Sequence, residues 1–179
     1  MAAAVLAGPV YIRLSKTGEP AVHKATPSFK IGRAITLTEG EDLTLIATGT
    51  MVASALRAAE ELFETLRYSV RVLSMHTIKP LDSEAVLKAA RETAAVITIE
   101  EHSIIGGLGS AVAEVLAESR TAVPFRRMAL PDAFMLEVGT QEYLRDYYRL
   151  SVGDIVHAAD GLLGTRSLHL SRSPVYVSR

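Results

Sequence analysis

The stretch Ala94-Ala-Val-Ile-Thr-Ile-Glu-Glu-His-Ser-Ile-Ile-Gly-Gly-Leu-Gly-Ser-Ala-Val-Ala-Glu-Val-Leu116 decides the fold. A short apolar run ends in two carboxylates and a histidine. The chain then crosses a glycine loop and enters a segment with helical apolar spacing. This is a strand–loop–helix unit of a parallel α/β sheet, where such folds place binding surfaces beyond the carboxyl ends of the strands.

The same alternation extends to both sides. Upstream, Leu43-Thr-Leu-Ile-Ala47 is a β-rich run, and Thr48-Gly-Thr50 turns the chain, with Thr50 a candidate helix cap. Val52, Ala55, Leu56, Ala59, Leu62, Phe63 and Leu66 then form one apolar helical stripe. Val70 to Met75 reads as a strand, Pro80 breaks the chain, and Asp82 can cap a helix marked by Val86, Leu87 and Ala90. Ala94 to Glu100 is the next strand, Ser110 to Glu118 the next helix, and Phe125 to Leu130 a shorter strand. Strands separated by helical crossovers predict a three-layer α/β/α domain with a mostly parallel sheet. Beyond Pro131 two helices follow, Gln141 to Tyr148 and Ser151 to Ala159. The second opens on a Ser151–Asp154 variant of the capping box and is expected to end at Gly161.

Residues 1–30 do not fit this unit. Pro9 to Ser15 alternates as a strand, with Val10, Ile12 and Leu14 on one side, yet no partner strand precedes it. A polar stretch with Pro20 and Pro27 follows as a linker, then an extended segment from Phe29 to Glu39. The expected organisation is a tail of a preceding domain plus linker (1–30), one α/β domain (31–160), and a disordered tail (161–179).

At 179 residues and 49% hydrophobic, the chain can bury one good core. A net charge of −1, with both signs mixed along the chain, points away from nucleic acid and from acidic membrane surfaces. No cysteine is present, which excludes disulfides and thiolate metal sites. No apolar run reaches the roughly 18 residues of a membrane span. The opening Met1-Ala-Ala-Ala-Val-Leu-Ala-Gly8 lacks the basic flank and long apolar stretch of a signal peptide, so a cytoplasmic location is expected.

The loop Gly106-Gly-Leu-Gly109 looks like a phosphate cradle, because a helix N-terminus offers free N–H groups. It misses the dinucleotide fingerprint, since Val112 stands where the third glycine belongs, and no Gly-Lys-Ser/Thr makes a Walker loop. Glu100 and Glu101 would repel an anion there. A tight turn that lets the helix pack closely on the sheet is the favoured reading, and an effector-binding module using Gly106–Gly109 the alternative. His102 follows two carboxylates and can be a proton carrier or a structural or interface residue. At His76 the local-structure reading dominates, and His23, His157 and His169 show no zinc-ligand spacing. Lys16 ends the orphan strand, either as solvated surface or as a charge for a substrate phosphate. Tyr143 and Tyr147, four residues apart, share a helix face suited to packing or an oligomer contact.

Several of these segments resemble the transketolase family. Gly8-Pro-Val-Tyr-Ile-Arg-Leu14 resembles the closing strand of the pyrimidine-binding domain. Asp42-Leu-Thr-Leu-Ile-Ala-Thr-Gly-Thr-Met51 is similar to the opening strand of the C-terminal domain. Ser74-Met-His-Thr-Ile-Lys-Pro-Leu-Asp82 and Ile99-Glu-Glu-His-Ser-Ile-Ile-Gly-Gly-Leu-Gly-Ser110 resemble that domain closely. Phe134 to Ala159, with Gly139-Thr140 and Tyr148-Arg-Leu150, resembles its final helices, most of all in split, two-chain transketolases. The related deoxyxylulose-phosphate synthases and the β subunits of 2-oxo-acid dehydrogenases share the domain.

The resemblance implies a thiamine-diphosphate enzyme moving two-carbon ketol units between sugar phosphates. The family's Gly-Asp-Gly…Asn diphosphate–Mg²⁺ motif is not in this sequence, nor is the pyrimidine-domain body with its activating glutamate, a role that neither Glu100 nor Glu101 takes. The chain alone is therefore expected to be inactive and to bind no cofactor or metal, with thiamine diphosphate and Mg²⁺ belonging to the complete enzyme. Lys16 falls where transketolases often carry an Arg that contacts substrate phosphate. Glu100, Glu101, His102, Gly106, Gly107 and Gly109 are candidates for a loop or interface role. The implied partners are the remaining transketolase domains or an N-terminal subunit, together with a second copy in a homo-oligomer.

Overall fold

The computed structural model describes residues 2–15, 20–23 and 25–170, the last six as backbone only. Lys16 and residues 171–179 lie outside the described residues. After a 3₁₀ turn at Ala2–Val5, the elements are β1 (Ile35–Thr38), β2 (Leu43–Ala47), α1 (Met51–Leu66), β3 (Val70–Ser74), α2 (Ser83–Glu92), β4 (Ala95–Ser103), α3 (Leu108–Glu118), β5 (Phe125–Leu130), α4 (Gln141–Tyr147) and α5 (Val152–Leu170).

The strands form one sheet in the order β1-β3-β2-β4-β5. β2 runs parallel to both β3 and β4, and β4 runs parallel to β5. β1 is antiparallel to β3, with Ile35 beside Ser74 and Thr38 beside Val72. Strands β2 and β3 are buried along their whole length, as expected of parallel strands covered on both faces. Two cores result. Leu45, Ile97 and Ile99 face Met51, Ala55 and Leu62 of α1 and Ile155 and Ala159 of α5. Ile46, Leu73 and Val96 face Val86 and Ala89 of α2 and Leu108 and Val112 of α3. The three-layer α/β/α architecture with a mostly parallel sheet is thus what the alternating pattern predicts.

Local signals hold at several joints. Asp82 caps α2, its carboxylate accepting the Ala85 N–H at 3.1 Å. Ser151 and Asp154 exchange backbone-to-side-chain bonds at the start of α5. Other expectations need correction. The Thr50 side chain makes no cap bond: its backbone is helical, at φ −62° and ψ −23°, and its hydroxyl donates to Glu101. Strand β4 runs three residues past Glu100, to Ser103. Helix α5 does not stop at Gly161 but continues to Leu170. A glycine inside a helix costs only about 1 kcal/mol, and Leu162 and Leu163 pack against the core. Residues 9–15 follow no sheet strand, and Tyr11 and Leu14 stand 89% and 83% exposed.

Candidate functional site

In an open parallel sheet the crevice forms where successive crossovers leave in opposite directions. Here α1 carries the chain from β2 to β3 on one side, and α2 carries it back across to β4 on the other. The switch point therefore lies between the carboxyl ends of β2 and β4, at Thr48–Thr50 and Glu100–His102.

An irregularity in the β4–β5 pairing between Ile99 and Ser103 releases these residues from the regular ladder. Glu101 is the centre of the site. One carboxylate oxygen, Oε2, accepts from Thr50 Oγ1 at 2.7 Å, from Arg145 Nη2 at 2.7 Å and Nε at 3.1 Å, and from Gln141 Nε2 at 3.0 Å. Its backbone carbonyl accepts Arg13 Nη2 at 3.2 Å. Burial alone would raise the Glu101 carboxyl pKa. The hydrogen bonds from Thr50, Arg145 and Gln141, with the Arg145 charge, more than offset burial and hold it below its ordinary value.

Glu100, 2% exposed, points the other way, toward the N-terminus of α3. It accepts the N–H groups of Leu108 at 2.8 Å and Gly109 at 2.7 Å. The helix end that resembled an anion cradle is thus filled by the chain's own carboxylate. This is why the loop is glycine-rich: a Cβ on Gly107 would sit 2.1 Å from Glu100 Oε2, and one on Gly109 would press on Arg127 at 2.9 Å. Gly106 makes the turn with φ near +78°. Arg127 braces the loop from β5 by donating to the Ile104 carbonyl at 2.9 Å. The loop packs closely on Glu100 and Arg127, and the donors an external anion would need at Leu108 and Gly109 are engaged.

His102 is exposed on the rim, next to Glu101. His76, at the end of β3, takes a local role: its ring stacks on Phe29 with centroids 4.1 Å apart, and Nδ1 lies 2.8 Å from Thr77 Oγ1. Among the described residues, no group of three or more His, Cys, Asp or Glu side chains is placed to hold a metal ion. No helix of the described residues is long and apolar enough to cross a membrane. The fold brings Glu100 and the glycine loop together. The sequence gives little sign of Gln141 and Arg145, which reach Glu101 from about 40 residues away. Their only trace is a spacing of four, which puts both on one helix face.

Two exposed apolar stretches adjoin in sequence the residues that reach Glu101. One comprises Val10, Ile12 and Leu14; the other is Phe134 at 95%, Leu136 at 86% and Val138 at 93% exposure, just ahead of α4. Arg13 and Gln141 tie both to Glu101.

Comparison with known proteins agrees with this picture. Residues 32–155 match the family described as transketolase, C-terminal domain. A 6-deoxy-6-sulfo-D-fructose transketolase subunit of Clostridium sp. (strain MSTE9) is 48% identical over 152 residues, covering 85% of this chain and 46% of that protein. A 1-deoxy-D-xylulose-5-phosphate synthase of Desulforudis audaxviator is 41% identical over 156 residues, 86% of this chain and 24% of the synthase. A solved split-gene transketolase, described as an inactive β4 tetramer, superposes with a TM-score of 0.78 at 44% identity, over 88% of this chain and 50% of that one. The chain thus spans half or less of the length of these relatives. On this similarity, together with the sheet order and the glycine loop, the chain belongs to the transketolase C-terminal domain family.

Proposed function

We propose that this chain is the C-terminal structural and dimerisation domain of a thiamine-diphosphate-dependent transketolase. The whole enzyme would move a two-carbon ketol unit between sugar phosphates, and this chain would support it without performing chemistry alone. Residues 1–30 would be the closing tail of a pyrimidine-binding domain with its linker. The observation that carries the proposal is the exposed pair of apolar stretches, Val10–Leu14 and Phe134–Val138. Large apolar side chains exposed in both segments, from 44% at Val10 to 95% at Phe134, mark a surface that other polypeptide covers.

The residues present do not fit the cofactor. A diphosphate brought to α3 would meet Glu100 already on the Leu108 and Gly109 N–H groups, and at the switch point it would meet Glu101. Thiamine diphosphate and Mg²⁺ are therefore assigned to other domains or to an N-terminal subunit. Lys16 and His102 stay as proposed contacts, the first for substrate phosphate and the second for a neighbouring domain. The split-subunit reading is preferred to a synthase on the higher identity of the Clostridium subunit.

The test is an assay of the purified chain with thiamine diphosphate, Mg²⁺ and sugar phosphates, alone and co-expressed with the polypeptide encoded immediately upstream. The expected result is no turnover alone and a stable complex with the upstream product. Turnover by the pure chain would overturn the proposal.

A further inference from the structure

Helix α4 has seven residues and no buried side chain. A helix that short is not stable by itself in water, and here apolar burial does not hold it. What holds it is polar. Gln141 and Arg145 reach Glu101 with three donor nitrogens, and Arg145 adds opposite charge at 2.7 Å. Thr50, from the turn before α1, donates to the same carboxylate oxygen at 2.7 Å. Through its main-chain oxygen the same residue holds Arg13 of the extended N-terminal segment. That oxygen is free for this because β4 leaves the regular ladder between Ile99 and Ser103.

We propose that Glu101 is a positioning residue that locks α4 and the 9–15 segment to one point of the sheet, and so sets the spacing between the Val10–Leu14 and Phe134–Val138 stretches. The proposal takes from the functional reading above only the identity of what covers those stretches. The lock itself belongs to this chain. Three pieces of backbone that are far apart in sequence meet at one side chain and its own carbonyl. Shifting that residue moves both apolar stretches together, where a simple surface ion pair would move neither.

The experiment uses the full chain with a single reporter. The sequence contains no tryptophan, and Tyr11 is 89% exposed, so Tyr11→Trp places a unique fluorophore on the N-terminal segment. In this background Glu101→Gln removes the charge with little change in shape. Amide exchange at Leu144 and Tyr148 is expected to accelerate roughly tenfold, the loss that charge-assisted hydrogen bonds carry. Exchange at Leu45 and Ile97 in the core is expected to stay within about twofold. The anisotropy of the introduced indole is expected to fall in the same variant. Gln141→Ala, on an exposed side chain, is expected to give a smaller acceleration of about threefold in α4 with the fold intact. Unchanged exchange in α4 for both variants would overturn the lock. Faster α4 exchange with unchanged indole anisotropy would overturn the coupling and reduce Glu101 to a local anchor. Both measurements use this chain alone, so their failure leaves the proposed support role standing, and turnover by the pure chain would leave the lock standing.

Discussion

Glu100 and Glu101 are consecutive in the chain, and their carboxylates serve opposite faces of the sheet: Glu100 accepts the Leu108 and Gly109 N–H groups of α3, while Glu101 accepts from Thr50, Gln141 and Arg145 beside α1 and α4. The alternation of a β-strand produces this split. One carboxylate closes a helix end that would otherwise carry unpaired donors, and the other gathers surface elements.

The fit between Gly107 and Glu100 leaves no room for a methyl group. Gly107→Ala should displace the buried carboxylate from its two N–H partners and cost about 3 kcal/mol in urea unfolding. Glu100→Gln should cost less, about 1–3 kcal/mol, because the amide keeps one acceptor but turns a donor toward a donor. A Gly107→Ala chain as stable as the parent would mean that the carboxylate does not hold α3.

Thr50 stands at a helix start where cap statistics favour Asp at least as much as Thr. Because its hydroxyl donates to Glu101, Thr50→Asp should instead bring two carboxylates together and lower stability by about 1–2 kcal/mol. Thr50→Val should lose about 1 kcal/mol through the missing donor. A stabilised Thr50→Asp protein, read from its thermal midpoint, would contradict this geometry.

Asp82 does two jobs, accepting Ala85 N–H at the start of α2 and Ala34 N–H at 2.8 Å just ahead of β1. Asp82→Ala removes the cap and strands a second N–H, for an expected loss of about 2–4 kcal/mol. Asp82→Asn should lose part of this, about 1–2 kcal/mol, because Ala85 and Ala34 bind different carboxylate oxygens and the amide turns a donor toward one of them. An Asp82→Asn chain as stable as the parent in chemical denaturation would mean that one of the two bonds does not hold.

Acid should weaken the fold in two separate windows. Burial lowers the His76 pKa below 6.5, the Arg33 backbone works against this, and His23 adds slightly to it. The unfolded chain then binds more protons than the folded one, so stability present above about pH 6.5 is lost as pH falls through the lower folded value. Glu101 follows the same sign at lower pH: its contribution is full above about 4.5 and disappears as the carboxyl protonates below that. Urea midpoints against pH should therefore flatten just below pH 6.5 in His76→Gln and below pH 4.5 in Glu101→Gln. A His76→Gln curve parallel to wild type would remove the first window.

The parallel sheet was legible because β2, β3 and β4 are short apolar runs separated by helices of clear period. The Asp82 cap and the Ser151–Asp154 box are local, so sequence spacing suffices to find them. Where reading failed, a distant partner decided. Thr50 carries a capping residue's chemistry, but Glu101, 51 positions away, takes its hydroxyl. Val10, Ile12 and Leu14 have strand alternation with no strand beside them among the described residues, and period alone does not supply hydrogen-bond partners. Gly161 looks like a helix stop until Leu162 and Leu163 are seen on the core. Arg145 could not be assigned to Glu101 without the fold, since any exposed carboxylate is a plausible mate for an arginine.

The one reversed strand has a consequence for assembly. Because Ile35 begins beside Ser74, the chain joins the sheet at the end where Thr50 and Glu101 sit and then runs away from them. A parallel β1 would have delivered the upstream backbone to the opposite end, about 15 Å off for strands of this length. Turning a single ribbon of four residues around thus brings the backbone ahead of Ile35 in at the pole where we propose that other polypeptide docks.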